Sequence, residues 1–317
     1  MFTKAQRTQA RLRLALCGPS GSGKTYSALL MAQGLAPEGR IAMIDTERGS
    51  GTLYSHLTDY DVAPLAPPFT PDRYIDLIRQ AGESGYQVLI IDSLSHAWAG
   101  EGGILEMHDR ATQASRSGNS FAAWREVTPR HNALVDALIG ADLHVIVTMR
   151  TKTAYDVTDD GNGKKRPIKV GLAPVQRDGL EYEFTVVMDL SIEGHVATAA
   201  KDRTGLFDGS HWVPGPATGA ALRDWLSAGV DSADASRQQL EKLKTHVGSI
   251  DNVPHLNSWW RANAGVIEQL LPPHVDALKA ACAERRGAIL DALRAKQEEI
   301  TASSRRRGPS ASAATAH

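Results

Sequence analysis

Along roughly the first 220 residues, short apolar runs alternate with longer amphipathic stretches, the rhythm of a sheet wound with helices. Six runs have strand length: 12–18 (LRLALCG), 40–46 (RIAMIDT), 87–93 (QVLIIDS), 143–150 (LHVIVTMR), 182–190 (YEFTVVMDL) and 195–201 (HVATAAK). The first four are apolar on both faces, which predicts parallel pairing under a double cover of helices. The last two, joined through Glu193 and Gly194, read as an antiparallel hairpin at the sheet edge. Between the strands, 24–34, 71–81 and 122–139 carry helical spacing, with Thr70 as N-cap ahead of Pro71 in the first helical position.

Two stretches break the rhythm. Residues 99–121 are rich in Gly and Ser, and 151–180 contain the turn signal DDGNGKK; irregular segments of that length are usually functional or disordered. Pro214, Gly215 and Pro216 then close the alternating region. Beyond a Ser/Ala/Asp linker the pattern is purely helical, carried by Leu240, Leu243, Val247, Leu256, Trp260, Leu278, Ile289 and Leu293. From Thr301 the sequence TASSRRRGPSASAATAH is of low complexity and reads as disordered. The expected organisation is therefore an α/β core over 1–227, a linker over 228–236, a helical appendage over 237–300 and a tail over 301–317.

Composition narrows the class without changing that picture. The 317 residues are 42% hydrophobic and 22% charged, in the globular range. Lys plus Arg number 35 against 36 Asp plus Glu, so any nucleic-acid surface has to be local. The two cysteines, Cys17 and Cys282, stand alone, which argues against a disulfide framework or a structural zinc and fits a reducing cytoplasm. The apolar runs fall far short of the roughly 20 residues of a membrane helix. The basic start MFTKAQRTQARLR leads into a glycine-rich loop, unlike a signal peptide.

That loop carries the chemistry. Gly18, Pro19, Ser20, Gly21, Ser22, Gly23, Lys24 and Thr25 spell GxxxxGK[ST] between a predicted strand and a predicted helix. Glycines let the backbone curl so that successive N–H groups face phosphate oxygens, and the helix adds its positive end. Lys24 is placed to reach β and γ phosphates and Thr25 to ligate Mg²⁺, so the motif predicts ATP with Mg²⁺; Tyr26 follows directly. Asp92, ending the strand VLIID, is the second metal-holding position. Its neighbour is Ser93 and not Glu, so a catalytic carboxylate has to come from elsewhere. Glu47, just past AMIDT, is either that carboxylate or a solvated loop residue, and Asp45 reads as a capping residue.

GPSGSGKT, IDTERGSGTLY and LIIDSLSHAW, in that order, resemble the ATPase core of RecA-type recombinases. DSLSHAWAGEGGILE, TPRHNALVDAL, APVQRDGLEYEF and KDRTGLFDG are similar, within that class, to phage-encoded core-only ATPases of the AAA type, single-strand annealing proteins among them. The likeness covers about residues 10 to 213. It implies a RecA-like P-loop fold with a mainly parallel twisted sheet, Glu47 as the water-positioning base, and Tyr54 stacked on adenine. It implies Lys201 and Arg203 as fingers reaching a neighbouring subunit's γ-phosphate, hence a homo-oligomer with ATP at its interfaces. Thr148 and Arg150 fall where relatives sense the γ-phosphate.

Single-stranded DNA is the partner the resemblance implies, in recombination or annealing inside a phage-infected or prophage-bearing bacterium. Residues 150–180 hold seven bases against four acids, and a hairpin with Lys152, Lys164, Lys165, Arg166 and Lys169 is suited to follow a phosphate backbone. Tyr155 is the one aromatic available there for stacking. The basic N-terminal segment with Lys4, Arg7, Arg11 and Arg13 is a second local candidate, and the net-positive C-terminal region a third. Two other classes remain open at this level: a nucleotide-switched adaptor binding a protein partner through its C-terminal helices, and a P-loop kinase of small molecules. Trp98, Trp124, Trp259 and Trp260 read as packing anchors.

Overall fold

The apolar runs fold as buried strands because helices cover them on both sides. A computed structural model describes residues 9–115, 120–159, 165–229 and 232–306, with backbone alone for 153–159, 165–171, 232 and 302–306. The described chain divides into two compact units, Ala10–Ala228 and the segment from Gly229 onward. In the first unit the elements run β1 (Arg13–Gly18), α1 (Lys24–Leu35), β2 (Ile41–Asp45), β3 (Asp61–Pro64), α2 (Pro71–Glu83), β4 (Val88–Asp92), α3 (Ser95–Ala99), α4 (Ile104–Ala114) and α5 (Ser120–Gly140). They continue with β5 (His144–Asp159), β6 (Lys165–Pro174), β7 (Val186–Leu190), β8 (Ala197–Asp202), β9 (His211–Trp212) and α6 (Pro216–Ser227).

The sheet runs β3-β2-β4-β5-β1-β7-β8-β9, with β6 paired to β5 beyond that path. Every pair from β3 to β7 is parallel, and β7–β8 and β8–β9 are antiparallel. This is the expected α/β architecture. Alternate residues of one strand feed two cores. Ala15, Cys17, Ile91 and Val147 pack with Tyr74, Ile78, Leu134 and Leu138 of α2 and α5. Leu14, Leu16, Ile90 and Ile146 pack with Leu29, Met31, Leu222 and Leu226 of α1 and α6. Helices α1 and α6 touch through backbone: a Cβ on Gly34 would stand 1.9 Å from Pro216 O, and one on Gly219 2.0 Å from Met31 O.

Several elements depart from the sequence reading. Strand β3 is an added edge strand, parallel to β2, whose DVAP is too short and too exposed to announce itself. The stretch 99–121 contains α4, with Ile104 and His108 buried. The stretch 151–180 is largely ordered as strand: β5 continues past the sheet body and pairs antiparallel with β6, from Thr151↔Pro174 to Asp159↔Lys165. Residues 180–183 form a 3-10 turn, so β7 starts only at Val186.

The second unit contains α7 (Ser232–Ser249), α8 (Val253–Ala262), α9 (Ala264–Ile267) and α10 (Pro272–Arg306). Helix α7 thus begins inside the expected linker, and α10 runs past Thr301 to Arg306, where a disordered tail was expected. Leu240, Leu243, Val247, Leu256, Trp259 and Leu278 form its own small core, with Trp260 packed against it. Asn252 caps α8 by accepting from His255 N–H at 2.8 Å.

Candidate functional site

The parallel order brings the C-terminal ends of β1, β2, β4 and β5 to one edge, where ligands of open α/β sheets bind. The loop after β1 turns sharply into α1, which its glycines permit: Gly21 and Gly23 have φ of 83° and 86°, a region open to residues without a Cβ. Lys24 Nζ donates to Pro19 O at 2.8 Å, so the side chain curls over its own loop. Burial lowers its pKa, and Asp92 and Glu47 counteract this. Ser22 Oγ, inside the loop, is buried without a hydrogen-bond partner among the described residues.

Asp92 is buried at the tip of β4 between two hydroxyls. Thr25 Oγ1 donates to Asp92 Oδ2 at 2.6 Å and Thr148 Oγ1 to Oδ1 at 2.5 Å. Burial raises the Asp92 pKa, the hydroxyls pull it down, and Glu47 and Asp45 push it up again. The Asp92–Ser93 peptide is cis. Thr46 ties β2 to β4: its N–H donates to Asp92 O at 2.8 Å, its Oγ1 accepts from Ser93 N–H at 2.8 Å and lies 2.6 Å from His96 Nδ1. His96 is thereby held beneath the site, its ring stacked on Phe69 at 4.8 Å.

Glu47 faces the same cavity and is paired. Arg150, at the end of the β5 segment that crosses the sheet, donates from Nη2 to Glu47 Oε1 and Oε2 at 2.7 and 2.6 Å, and from Nε to Oε1 at 3.1 Å. Asp45 caps the turn that follows β2, accepting from Glu47 N–H at 2.7 Å and Gly51 N–H at 3.2 Å. Tyr54 closes a 3-10 turn (Ser50–Tyr54) and packs edge-on against Tyr26, ring centroids 6.1 Å apart.

The loop, Asp92, Glu47 and Arg150 face a cavity of about 1010 Å³. Its walls include Ser20, Gly21, Gly23, Lys24, Thr25, Tyr26, Glu47, Tyr54, Asp92 and Arg150, so most of the positions predicted for nucleotide converge on it, while Gly18, Pro19 and Ser22 do not line it. Seven further lining residues, among them Leu30, Thr151, His195, Val213 and Pro214, are not singled out by the sequence. His195 sits here because β7 runs parallel to β1, which delivers the β7–β8 turn beside the phosphate loop. The pairing of β7 was the missing signal; the GH dipeptide in the turn carried none.

Lys201 and Arg203 do not line this cavity. Lys201 Nζ donates to Glu181 O at 2.9 Å and Tyr182 O at 2.5 Å, and Arg203 Nη2 to Tyr182 O at 2.8 Å. They do not pair with Asp202, whose carboxylate accepts from Thr204 N–H at 2.7 Å and Phe207 N–H at 2.8 Å and so builds its own turn. Of the basic hairpin, Lys152 is exposed; Lys165, Arg166 and Lys169 lie on β6; Lys164 is outside the described residues. Arg11 and Arg13 of the N-terminal segment are committed elsewhere: Arg11 pairs with Asp142 at 2.9 Å and Arg13 is buried. Lys4 and Arg7 lie outside the described residues. Trp98 and Trp124 stack on each other at 5.9 Å, as packing anchors.

The donor set suits a divalent cation and a polyphosphate. One hydroxyl and one carboxylate already meet at 2.6 Å where α1 begins, beside a loop whose amides and lysine are suited to anionic oxygens. Among the described residues no group of three or more His, Cys, Asp or Glu is arranged to hold a metal by itself, and no helix is long and apolar enough to cross a membrane. A protein-family model described as an AAA domain matches residues 10–215. No curated protein matches the chain.

Proposed function

The chain belongs to the AAA-domain family of nucleotide-binding P-loop proteins, and from that premise we propose that it binds ATP with Mg²⁺ in the cavity above the phosphate loop, hydrolyses it, and uses the cycle on single-stranded DNA. The observation that carries the nucleotide reading is the 2.6 Å contact between Thr25 and Asp92 with Glu47 in the same cavity. Thr25 and Asp92 would hold the Mg²⁺, which when bound neutralises charge on the phosphate oxygens. Lys24 leaves Pro19 O for the β and γ phosphates. Glu47 orients a water and takes its proton as the new bond to the γ-phosphorus forms and the bond to the ADP oxygen breaks. Arg150 is the group that holds or frees Glu47. Tyr54, with Tyr26 beside it, supplies the surface for the base.

Lys201 and Arg203 are exposed or half-buried, held by carbonyls and away from their own chain's cavity, which supports a role on a neighbouring copy's γ-phosphate in a homo-oligomer. The DNA reading, in phage-type recombination or annealing, is supported by the β5–β6 hairpin. It continues from the strand that carries Thr148, bonded to Asp92, and Arg150, bonded to Glu47, and its first pair, Thr151↔Pro174, follows Arg150 directly. The residues 150–180 have a net positive sequence.

The test is steady-state hydrolysis with Mg²⁺, with and without single-stranded DNA at low and moderate salt, with Lys24→Ala as the blank. Hydrolysis above the blank that rises with DNA and fades with salt is expected. Hydrolysis indifferent to DNA would favour a nucleotide-switched adaptor instead, for which exposed Leu290 and Leu293 on α10 offer an apolar face. Equal activity in the blank would overturn the phosphate-loop assignment.

A further inference from the structure

The turn between β7 and β8 is built around an uncommon backbone. Gly194 and His195 have φ of 67° and 53°, two successive left-handed residues, and the second carries a Cβ that disfavours this region. Ser191 locks the turn from both sides: its N–H donates to Val196 O at 2.9 Å and its Oγ to Glu193 O at 2.8 Å. Backbone outliers held by their surroundings cluster at ligand clamps, and this one holds an imidazole against the phosphate loop.

A Cβ on Gly23 would lie 3.1 Å from His195 Nδ1 and 3.4 Å from Cγ, so the ring stands directly over the residue preceding Lys24 and lines the cavity. A side chain at Gly23 would crowd that approach. The ring is exposed, and its nitrogens have no hydrogen-bond partner among the described residues. An imidazole presents at least one N–H donor in either protonation state, and a phosphate chain cradled by this loop is rich in acceptor oxygens.

We propose that His195 is a nucleotide-binding residue that closes over the Gly23 side of the loop and donates a ring N–H to the phosphate chain. This rests on the nucleotide reading above. It assigns to the β7–β8 turn the role of a clamp on the phosphates, distinct from Tyr54 on the base.

The experiment is calorimetric titration of the full chain with Mg²⁺-pyrophosphate and with a non-hydrolysable ATP analogue, for the wild type, Lys24→Ala, His195→Gly and His195→Asn, with thermal unfolding of each free protein. Glycine relieves the left-handed residue and removes the ring. The expected result is an unfolding midpoint at or above wild type, with affinity for both probes weakened about tenfold, as for one hydrogen bond to a charged group. Asparagine tolerates the same conformation and keeps a shorter donor, so its expected loss is smaller. It decides the matter should the glycine variant unfold.

Unchanged pyrophosphate affinity in both His195 variants, or a loss confined to the ATP analogue, would overturn the proposal. If the wild type binds neither probe, the phosphate-loop reading itself fails. If the wild type binds, Lys24→Ala does not, and both His195 variants bind normally, the His195 proposal alone fails.

Discussion

At the end of the sheet where β1 and β5 begin, Arg13 is 7% exposed and its two Nη atoms donate to four carbonyls, Leu12, Leu143, Ile139 and Ala141, at 2.9, 2.8, 2.7 and 2.5 Å. Beside it Leu12 N–H donates to His144 Nδ1 at 2.9 Å. At the other end of the sheet, Asp92 is 3% exposed, but its partners are Thr25 and Thr148 hydroxyls that can rotate away, and among the described residues the Glu47 carboxylate is held by the Arg150 side chain. The first set uses backbone acceptors fixed by the fold and seals the C-terminal end of α5, where a cation also meets the favourable end of the helix dipole. The second uses side chains with more than one possible partner, and it faces a cavity. Burial alone therefore does not separate the two ends; the exchangeability of the partners does.

The largest difference should come from removing Arg13. Arg13→Leu strands several carbonyls and is expected to cost about 3 kcal/mol in urea unfolding while leaving nucleotide affinity unchanged. A cost under about 1 kcal/mol would make this end as dispensable as the surface. Glu47→Gln is the counterpart. The Arg150–Glu47 pair is 49% and 26% exposed, so its loss should change stability by no more than about 0.5 kcal/mol. Turnover should fall about a hundredfold, near 2.7 kcal/mol of barrier, with ATP still bound. Full turnover in Glu47→Gln would place the base elsewhere and reduce the pair to an ordinary surface contact.

Much of the second end was legible in the sequence because phosphate chemistry needs a contiguous stretch: eight successive residues from Gly18 to Thr25 make the loop, and Asp92 follows from an apolar strand that ends in a carboxylate. Glu47 was legible only as an alternative, since its position depends on β2 lying next to β4. What stayed hidden is what the fold assembles from far apart. Arg13 looked like a free cation in a basic segment, because three of the four carbonyls it meets lie more than 120 residues away, at and just past the end of α5. His195 looked like the start of a strand, because only the pairing of β7 with β1 carries its turn to Gly23. The arm of β5 and β6 reads as an irregular stretch with a basic hairpin in it, not as a continuation of the fourth strand, since a ladder standing clear of the sheet body has no need of continuous apolar residues.

His144 offers a milder test of the sealed end. Burial, with Arg11 and Arg13 nearby, lowers its pKa from the ordinary 6.5 to about 4, so the folded ring is neutral and accepts the Leu12 N–H. Between those values the unfolded chain binds the proton and the folded one does not. The stabilisation is present in full above about 6.5 and is lost as pH falls toward 4. For a partly buried ring this amounts to about 2 kcal/mol. His144→Gln, which can still accept the N–H, should flatten that slope in unfolding measured at several pH values; an identical slope would assign the acid sensitivity to other groups.

The smallest effect separates the two ends most directly. Burial raises the Asp92 carboxyl above its ordinary 3.8, so the fold binds this proton more tightly than the unfolded chain does, and Asp92 reduces stability as pH rises through that window. Asp92→Asn removes the buried charge while keeping the shape. It should be more stable than wild type by about 1 kcal/mol at pH 7, with the gap shrinking on acidification, and it should lose Mg²⁺-dependent turnover. A charge kept at a cost in stability is what a cation site requires, because the cation, when bound, compensates it. If Asp92→Asn is instead less stable at pH 7, the two hydroxyls already suffice to make the carboxylate the better occupant. The polar groups at both ends of the sheet would then serve the fold first, and the contrast between them would rest on Glu47 and Arg150 alone.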